Sequence, residues 1–147
     1  MAIHGSCLCG GVSFKITRAV APFEICHCSR CRKTGGGTGL PMLTVRVEDF
    51  TLLSGESLIT TYAAPILNEP PAYLSAFCRQ CGSPVPLVLP DEDEMEIAAG
   101  LFDDDPDIRP DKHIFVELVP PWDEIYDDLP QFTIRDLVKL RSGRELP

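Results

Sequence analysis

The sequence contains no apolar run of membrane-spanning length, because prolines or charged residues break every apolar stretch well short of about 18 residues. The N-terminal segment Met1–Ser6 has no basic region followed by an apolar one, so no secretory leader is predicted. Basic residues are scarce too, with 13 Lys and Arg against 22 Asp and Glu. Nucleic acids and anionic membranes need a basic surface, so the composition argues against both as partners. We therefore expect a soluble, cytoplasmic protein.

Two common ion- and phosphate-binding signatures are missing. The acidic runs Asp91–Glu94 and Asp103–Asp107 lack the spacing and the distal glutamate of a calcium loop, which predicts solvated turns. The run Thr34–Gly39 is rich in glycine but lacks the Gly-Lys-Ser/Thr ending of a phosphate-binding loop. We interpret it as a flexible segment.

Cysteine is abundant, and its count is odd. Seven cysteines occur in 147 residues, a length that predicts a single domain over residues 1–147 with a core large enough to fold without covalent cross-links. Disulfides alone cannot use an odd number of thiols. In a protein with reduced thiols, clustered cysteines indicate metal binding or catalysis.

The pattern of turns predicts a mainly β fold. Fourteen prolines and eleven glycines divide the chain into short segments, several of which alternate apolar and polar residues. We expect short antiparallel strands. The candidates are Val12–Thr17, Leu43–Val47, Phe50–Leu53, Leu58–Tyr62, Tyr73–Phe77, Val85–Leu89, Met95–Ala99 and Ile114–Leu118.

One helix is predicted, near the C-terminus at about residues 134–142. Thr133 is a candidate N-cap with Asp136 three residues later, and Gly143 can end the helix. Apolar residues such as Leu137 recur at helical spacing, so we expect this helix to pack across the sheet.

The cysteines fall into three groups that have the spacing of metal ligands: Cys7 and Cys9, then Cys26, Cys28 and Cys31, and finally Cys78 and Cys81. Cysteines separated by one or two residues can point their sulfurs at one ion, and thiolate sets select zinc or, in some cases, iron. The middle group spans six residues, so one loop can bring all three thiols to one ion. The outer groups together supply four.

This spacing favours about two zinc ions per chain. The outer four cysteines would form a closed structural site, and the middle three would leave the fourth tetrahedral position open for water or substrate. Two alternatives remain at this point: a single four-cysteine site with three free thiols, and an iron–sulfur cluster.

An open zinc with three thiolate ligands favours thiol chemistry over hydrolysis. Three negative sulfurs weaken the ion as a Lewis acid toward water, whereas a coordinating thiol is deprotonated outright. Residues 1–47 hold six Lys and Arg against one Glu, and three of these cations, Arg30, Arg32 and Lys33, adjoin the middle cysteines. We expect them to bind the carboxylates of a thiol such as glutathione, whose sulfur attacks a small aldehyde.

Four segments resemble, in order, the motifs of the glutathione-dependent formaldehyde-activating enzyme family, also called the centromere protein V family. They are Gly5–Val12, Cys26–Lys33, Phe77–Ser83 and His113–Phe115. The stretch Trp122–Phe132 is similar to that family's closing segment, so the resemblance runs over about residues 5–132.

The resemblance implies a β-tent fold with a structural zinc on Cys7, Cys9, Cys78 and Cys81 and a second zinc on Cys26, Cys28 and Cys31. It also implies condensation of formaldehyde with glutathione to S-hydroxymethylglutathione, a carbon–sulfur lyase reaction. The competing hypothesis is a non-enzymatic zinc module that binds a protein partner or senses thiols or metals.

Two of the three histidines, His27 and His113, lie in the family-like motifs. His113, in the family-like motif, is a candidate proton donor, since an imidazole near neutral pH can act as acid or base, although a strand histidine more often makes a structural hydrogen bond. His27 lies between two predicted ligands and is expected to point away from the metal, where it is either exposed or supports the ligands. Trp122 is expected in the core or in a pocket wall.

Overall fold

The computed structural model describes residues 1–67 and 70–146. Short strands dominate it, and most of them pair in antiparallel fashion. The strands of this described part are β1 (Ile3–Ser6), β2 (Ser13–Ile16), β3 (Val20–Cys26), β4 (Leu40–Arg46), β5 (Phe50–Ser54), β6 (Ile59–Ala63), β7 (Leu74–Cys78), β8 (Glu94–Ala98), β9 (Lys112–Ile114) and β10 (Gln131–Phe132). The helices are α1 (Ser29–Gly35) and α2 (Ile134–Ser142), with four short 3-10 turns between strands. The predicted mainly β fold with a short C-terminal helix is confirmed.

The strands form three sheets. A five-stranded sheet has the order β10-β9-β3-β4-β8, in which β3, β4 and β8 pair antiparallel and β9 lies parallel to both β3 and β10. A three-stranded antiparallel sheet has the order β1-β2-β5, and β6 pairs with β7 in a hairpin-like ribbon.

The two faces of the five-stranded sheet differ in role, because side chains alternate along each strand. One face packs against the three-stranded sheet and forms the main core. Its largest buried members include Phe23, Leu43 and Ile97 from the five-stranded sheet and Phe14 and Ile16 from β2. The other face lies beneath α2, whose Leu137 packs against Cys26 and Ile114.

Helix α2 begins and ends as its sequence predicts. The Thr133 hydroxyl accepts a hydrogen bond from the Asp136 amide, and the Asp136 carboxylate accepts one from the Thr133 amide. Gly143 ends the helix in the left-handed conformation. Leu137 is the buried residue of this helix. It holds α2 against the face of the sheet that is turned away from the main core.

Two of the predicted strands are wrong. Residues 85–89 form no strand, because Pro84, Pro86 and Pro90 leave only an isolated bridge between Pro84 and Phe77. The predicted strand Ile114–Leu118 ends at Ile114, where Phe115 turns the backbone into the left-handed region and a 3-10 turn follows.

The glycine-rich run Thr34–Gly39 is partly helical, because α1 extends to Gly35 and Gly36 supplies its left-handed C-cap. Trp122 lies in neither core nor pocket wall, since 73% of its surface is exposed. Among the described residues, no helix has the length and apolar character needed to cross a membrane.

Candidate metal centres

Four cysteines from distant parts of the chain meet at one point. Cys7 and Cys9 lie in the turn after β1, Cys78 ends β7, and Cys81 follows in the next turn. Their sulfurs all lie within 4.8 Å of one another. The Sγ atoms of Cys7 and Cys9 are 3.5 Å apart, and those of Cys9 and Cys78 are 3.8 Å apart. Zinc–sulfur bonds of about 2.3 Å in a tetrahedron place sulfurs roughly 3.8 Å apart, so the donor set fits zinc.

Backbone and hydroxyl groups hold the two halves of this cluster together. The Val12 amide donates to the Cys7 sulfur at 3.3 Å. The Ser83 hydroxyl accepts from the Leu8 amide at 3.0 Å and lies 3.3 Å from the Cys81 sulfur, so it joins the first turn to the second. Contacts with Ser83 lower the pKa of the Cys81 thiol to about 5, which favours the thiolate that a metal requires.

The middle three cysteines form a second cluster at the junction of β3 and α1. Cys26 is the last residue of β3, Cys28 caps the N-terminus of α1, and Cys31 lies in its first turn. Their sulfurs also lie within 4.8 Å of one another. The Cys31 amide donates to the Cys28 sulfur at 3.4 Å, which fixes the loop. Each of the two clusters can hold a metal ion.

Ionisation within the second cluster is uneven. Hydrogen bonds from Cys26 and Cys31 hold the pKa of the Cys28 thiol at about 2. The same contact with Cys28 raises the pKa of Cys26 to about 12, and the contacts with Cys26 and Cys28 raise that of Cys31 as well. Of the three thiols, Cys28 is the one whose charged form these contacts favour.

A cavity of about 790 Å³ adjoins the second cluster, and Cys26, Cys28 and Cys31 belong to its wall. Its floor is the face of the five-stranded sheet opposite the main core. Strand pairing explains this floor, since directly paired residues share a face. The floor residues are Glu24 and Cys26 on β3, Leu40 and Met42 on β4, Glu96 and Ala98 on β8, and Ile114 on β9.

The three cations predicted to bind substrate are not all brought to this cavity. Arg30 lines it, with its guanidinium 5.5 Å from the ring centroid of Tyr73 and its Nη2 donating to the Pro65 carbonyl at 2.8 Å. Arg32 and Lys33 belong to the last turn of α1 and do not contribute to the lining. The substrate-binding roles of all three stay predictions.

His27 points away from the cysteines, as expected, and joins a buried chain of hydrogen bonds. Its Nε2 lies 2.8 Å from Nδ1 of His113, and its Nδ1 lies 2.9 Å from the Thr38 carbonyl. Nε2 of His113 lies 2.9 Å from the Asp127 carboxylate, and this hydrogen bond lowers the pKa of that carboxyl. Both imidazoles are only 4% exposed.

His113 is on the opposite face of the sheet from the cavity. It pairs with Ile25, whereas its neighbour Ile114 pairs with Cys26 on the cavity face. The proton-donor role of His113 stays a prediction, and its ring does not belong to the cavity lining. The geometry supports a bracing role, because the His27 and His113 hydrogen bond joins the loop of Cys26 and Cys28 to β9.

Replacing His113 with alanine is expected to lower the free energy of unfolding by about 2–3 kcal/mol, because it leaves the buried Nε2 of His27 without its partner. Urea denaturation of the metal-loaded protein measures this. His4→Ala is the control, since His4 pairs with Asp104 at the surface and its loss should cost less than about 1 kcal/mol. Equal losses for the two variants would contradict the bracing role.

Sequence reasoning missed four residues around this site: Glu24, Tyr73, Arg141 and Asp127. Glu24 was detectable in principle, because it precedes Cys26 by two residues and so shares its face of a strand. The other three reach the site only through tertiary contacts. Their local sequence gives no signal of this.

A family model described as the glutathione-dependent formaldehyde-activating enzyme matches residues 2–118. The chain belongs to this family. The match includes all seven cysteines and His113, whereas Trp122–Phe132 and helix α2 lie beyond it.

One curated relative and one solved structure are similar to this chain. The relative, from Halomonas elongata, is provisionally named a glutathione-dependent formaldehyde-activating enzyme. It is 32% identical over 128 residues, which cover 85% of this chain and 82% of the relative. The solved structure is a Rhodobacter sphaeroides protein with a TM-score of 0.52 and 20% identity. The aligned part covers 87% of this chain and 98% of the solved chain. At this identity, the similarity supports the fold alone.

Proposed function

We propose that the protein is a zinc-dependent enzyme of the carbon–sulfur lyase type that adds glutathione to formaldehyde and forms S-hydroxymethylglutathione. The observation that supports this most strongly is the cluster of Cys26, Cys28 and Cys31 in the wall of a cavity of about 790 Å³. The family and the name of the Halomonas elongata relative support glutathione and formaldehyde as the small-molecule partners.

The two clusters have different roles in this proposal. Cys7, Cys9, Cys78 and Cys81 would hold a structural zinc with four thiolates, and a zinc with four protein ligands has no position for a substrate. The second cluster supplies three and opens onto the cavity. Cys26, Cys28 and Cys31 would hold zinc there, and the ion would supply a Lewis acid that favours the thiolate form of a thiol.

The residues of the chain bind and orient the substrates. Arg30 is held by the Tyr73 ring and the Pro65 carbonyl, so its guanidinium is fixed in the wall beside the cysteines and can pair with a carboxylate. Apolar side chains such as Leu40, Met42 and Phe115 surround the remaining space and limit the access of water.

The reaction needs no oxidant or reductant. One carbon–sulfur bond forms between the glutathione sulfur and the formaldehyde carbon, the carbonyl becomes a hydroxyl, and the thiol proton ends on that oxygen. The cavity therefore has to align two small molecules and exclude competing water. Alignment of reactants is a large source of rate acceleration in enzymes.

The test follows the loss of free formaldehyde in the presence of glutathione. Wild type is expected to exceed the spontaneous rate, and Cys28→Ser is expected to fall to it, because the cluster loses one of its three candidate metal ligands. Ser29→Ala, at the exposed position next to Cys28, is the matched control and should keep the wild-type rate.

Zinc analysis of the same samples distinguishes the outcomes. We expect about two zinc ions per chain in wild type and in Ser29→Ala, and about one in Cys28→Ser. Equal rates of formaldehyde loss in wild type and Cys28→Ser, with two zinc ions in wild type, would contradict the enzyme hypothesis. The protein would then be a non-enzymatic zinc module.

A further inference from the structure

A buried ion pair lies in the cavity floor two residues from Cys26. Glu24 is 4% exposed, and it shares a face of β3 with Cys26 because side chains alternate along a strand. A carboxylate this deeply buried needs cationic partners. Glu24 has two, since its Oε2 accepts from Nη2 of Arg141 at 2.7 Å and its Oε1 lies 3.7 Å from Nζ of Lys112.

Arg141 lies in helix α2 and lines the cavity. Leu137 packs against Cys26 and Ile114, and Arg141 follows it by four residues, on the same face of the helix. The side chain of Arg141 lines the cavity and is 52% exposed. A guanidinium has five donors in a planar fork, so contact with Glu24 leaves donors for a second anion.

A carboxyl group stands beside this guanidinium. Glu96 on β8 also belongs to the cavity floor. Partial loss of solvent raises the pKa of the Glu96 carboxyl, the charge of Glu24 raises it further, and the charge of Arg141 opposes both. All three groups line the same cavity, and Glu96 and Arg141 also line a neighbouring pocket beside Thr44 and Met95.

An adjacent cation and carboxylate match the two charges of an α-amino acid. The α-carboxylate of such a ligand pairs with a guanidinium, and its α-ammonium pairs with a carboxylate. Along β3, the position of Glu24 is about 7 Å from that of Cys26. A ligand that reaches from this pair to the cysteines needs several bonds between its amino-acid end and its sulfur. The side chain of a γ-glutamyl group supplies them, and free cysteine does not.

We propose that Arg141 and Glu96 bind the zwitterionic γ-glutamyl end of the thiol substrate, with its α-carboxylate on Arg141 and its α-ammonium on Glu96. This inference rests on the proposed function and adds a substrate-specificity site to it. Arg141 lies beyond the residues that the family model matches, so this selectivity depends on the C-terminal helix.

The experiment compares glutathione with 4-aminobutyryl-cysteinylglycine, which lacks only the α-carboxylate of the γ-glutamyl group. For wild type, the analogue should have a KM about tenfold to a hundredfold higher, as expected for one charge-assisted hydrogen-bonded pair. Arg141→Gln should raise the KM for glutathione by a similar factor and leave the KM for the analogue almost unchanged. Free cysteine should be a poor substrate of both.

Glu96→Gln is tested in the same way with glutaryl-cysteinylglycine, which lacks only the α-ammonium. We expect this variant to lose the preference for glutathione over that analogue. Lys139→Gln is the matched control, because Lys139 lies on the same helix and pairs with Glu145 outside the cavity. It should behave like wild type with every thiol.

The outcomes separate this inference from the proposed function. If wild type accelerates the reaction with glutathione and Arg141→Gln discriminates against the analogue as strongly as wild type does, the inference is wrong and the function stands. An equal rise in KM for both thiols would mean that Arg141 acts only by holding Glu24. If wild type gives no acceleration and glutathione leaves the absorption of the cobalt-substituted protein unchanged, the proposed function itself fails.

Discussion

Replacing Cys78 with serine is expected to leave the protein unfolded at ordinary growth temperatures. Heating then gives no cooperative unfolding transition. Cys78 has no exposed surface, and it lies in an apolar cluster with Cys7, Val12, Ala76 and Val85. Its sulfur belongs to the cluster that joins the N-terminal turn to β7. Structural zinc contributes on the order of 10 kcal/mol or more to folding, whereas whole domains are stable by only about 5–15 kcal/mol. In the proposed zinc site, losing one of the four ligands therefore removes most of the stability.

Circular dichroism during heating, together with zinc analysis, measures this effect. Cys28→Ser is the matched control, since it removes a thiol from the other cluster, which lies at the cavity wall. We expect Cys28→Ser to lose about one zinc ion and still unfold cooperatively. A Cys78→Ser protein that retains two zinc ions and the wild-type melting temperature would show that the four-cysteine cluster is not a structural metal site.

Replacing Gly55 with alanine is expected to lower the free energy of unfolding by about 2–5 kcal/mol. Gly55 has a φ of +88°, where a side chain costs roughly 1–2 kcal/mol. A Cβ atom there would also meet the Gly11 carbonyl oxygen and lie 2.7 Å from Cα of Val12. Overpacking against backbone adds about 1–3 kcal/mol, because the backbone has to move.

Gly143→Ala is the control for this substitution. Gly143 has a φ of +69°, and nothing lies within 4 Å of the position its Cβ would take. It should therefore cost only the roughly 1–2 kcal/mol of the positive φ, and the difference between the two variants measures the contact with Gly11 and Val12. Similar losses in urea denaturation would contradict that contact. The displaced segment follows Cys9, so Gly55→Ala should also weaken zinc retention at the four-cysteine cluster.

Local sequence predicted the two cysteine clusters well because the spacing of thiols limits which of them can meet. Cys26, Cys28 and Cys31 lie so near in the chain that one loop brings them together, and Cys7 and Cys78 belong to tight pairs that each supply half a site. The cap of α2 was predictable for the same reason, since Thr133 and Asp136 interact within one turn.

Strand β3 was missed although it is central to the sheet. Its sequence contains Pro22 and the charged Glu24, which interrupt the apolar alternation on which strand prediction depends. Glu24 is tolerated there because Arg141 and Lys112 pair with it from α2 and β9. Those partners are 117 and 88 residues away, so no local pattern contains them.

By itself, the sequence determined the mainly β class, the C-terminal helix and the division of seven cysteines into four and three, because alternation, capping and thiol spacing act over a few residues. Only the tertiary structure decided what surrounds the three-cysteine cluster. Sheet register placed His113 on the face away from the cavity and Glu24 on the face toward it. Packing of Leu137 then brought Arg141 beside Glu24. Strand pairing and helix docking join residues distant in sequence, and their geometry follows from burial of the whole chain.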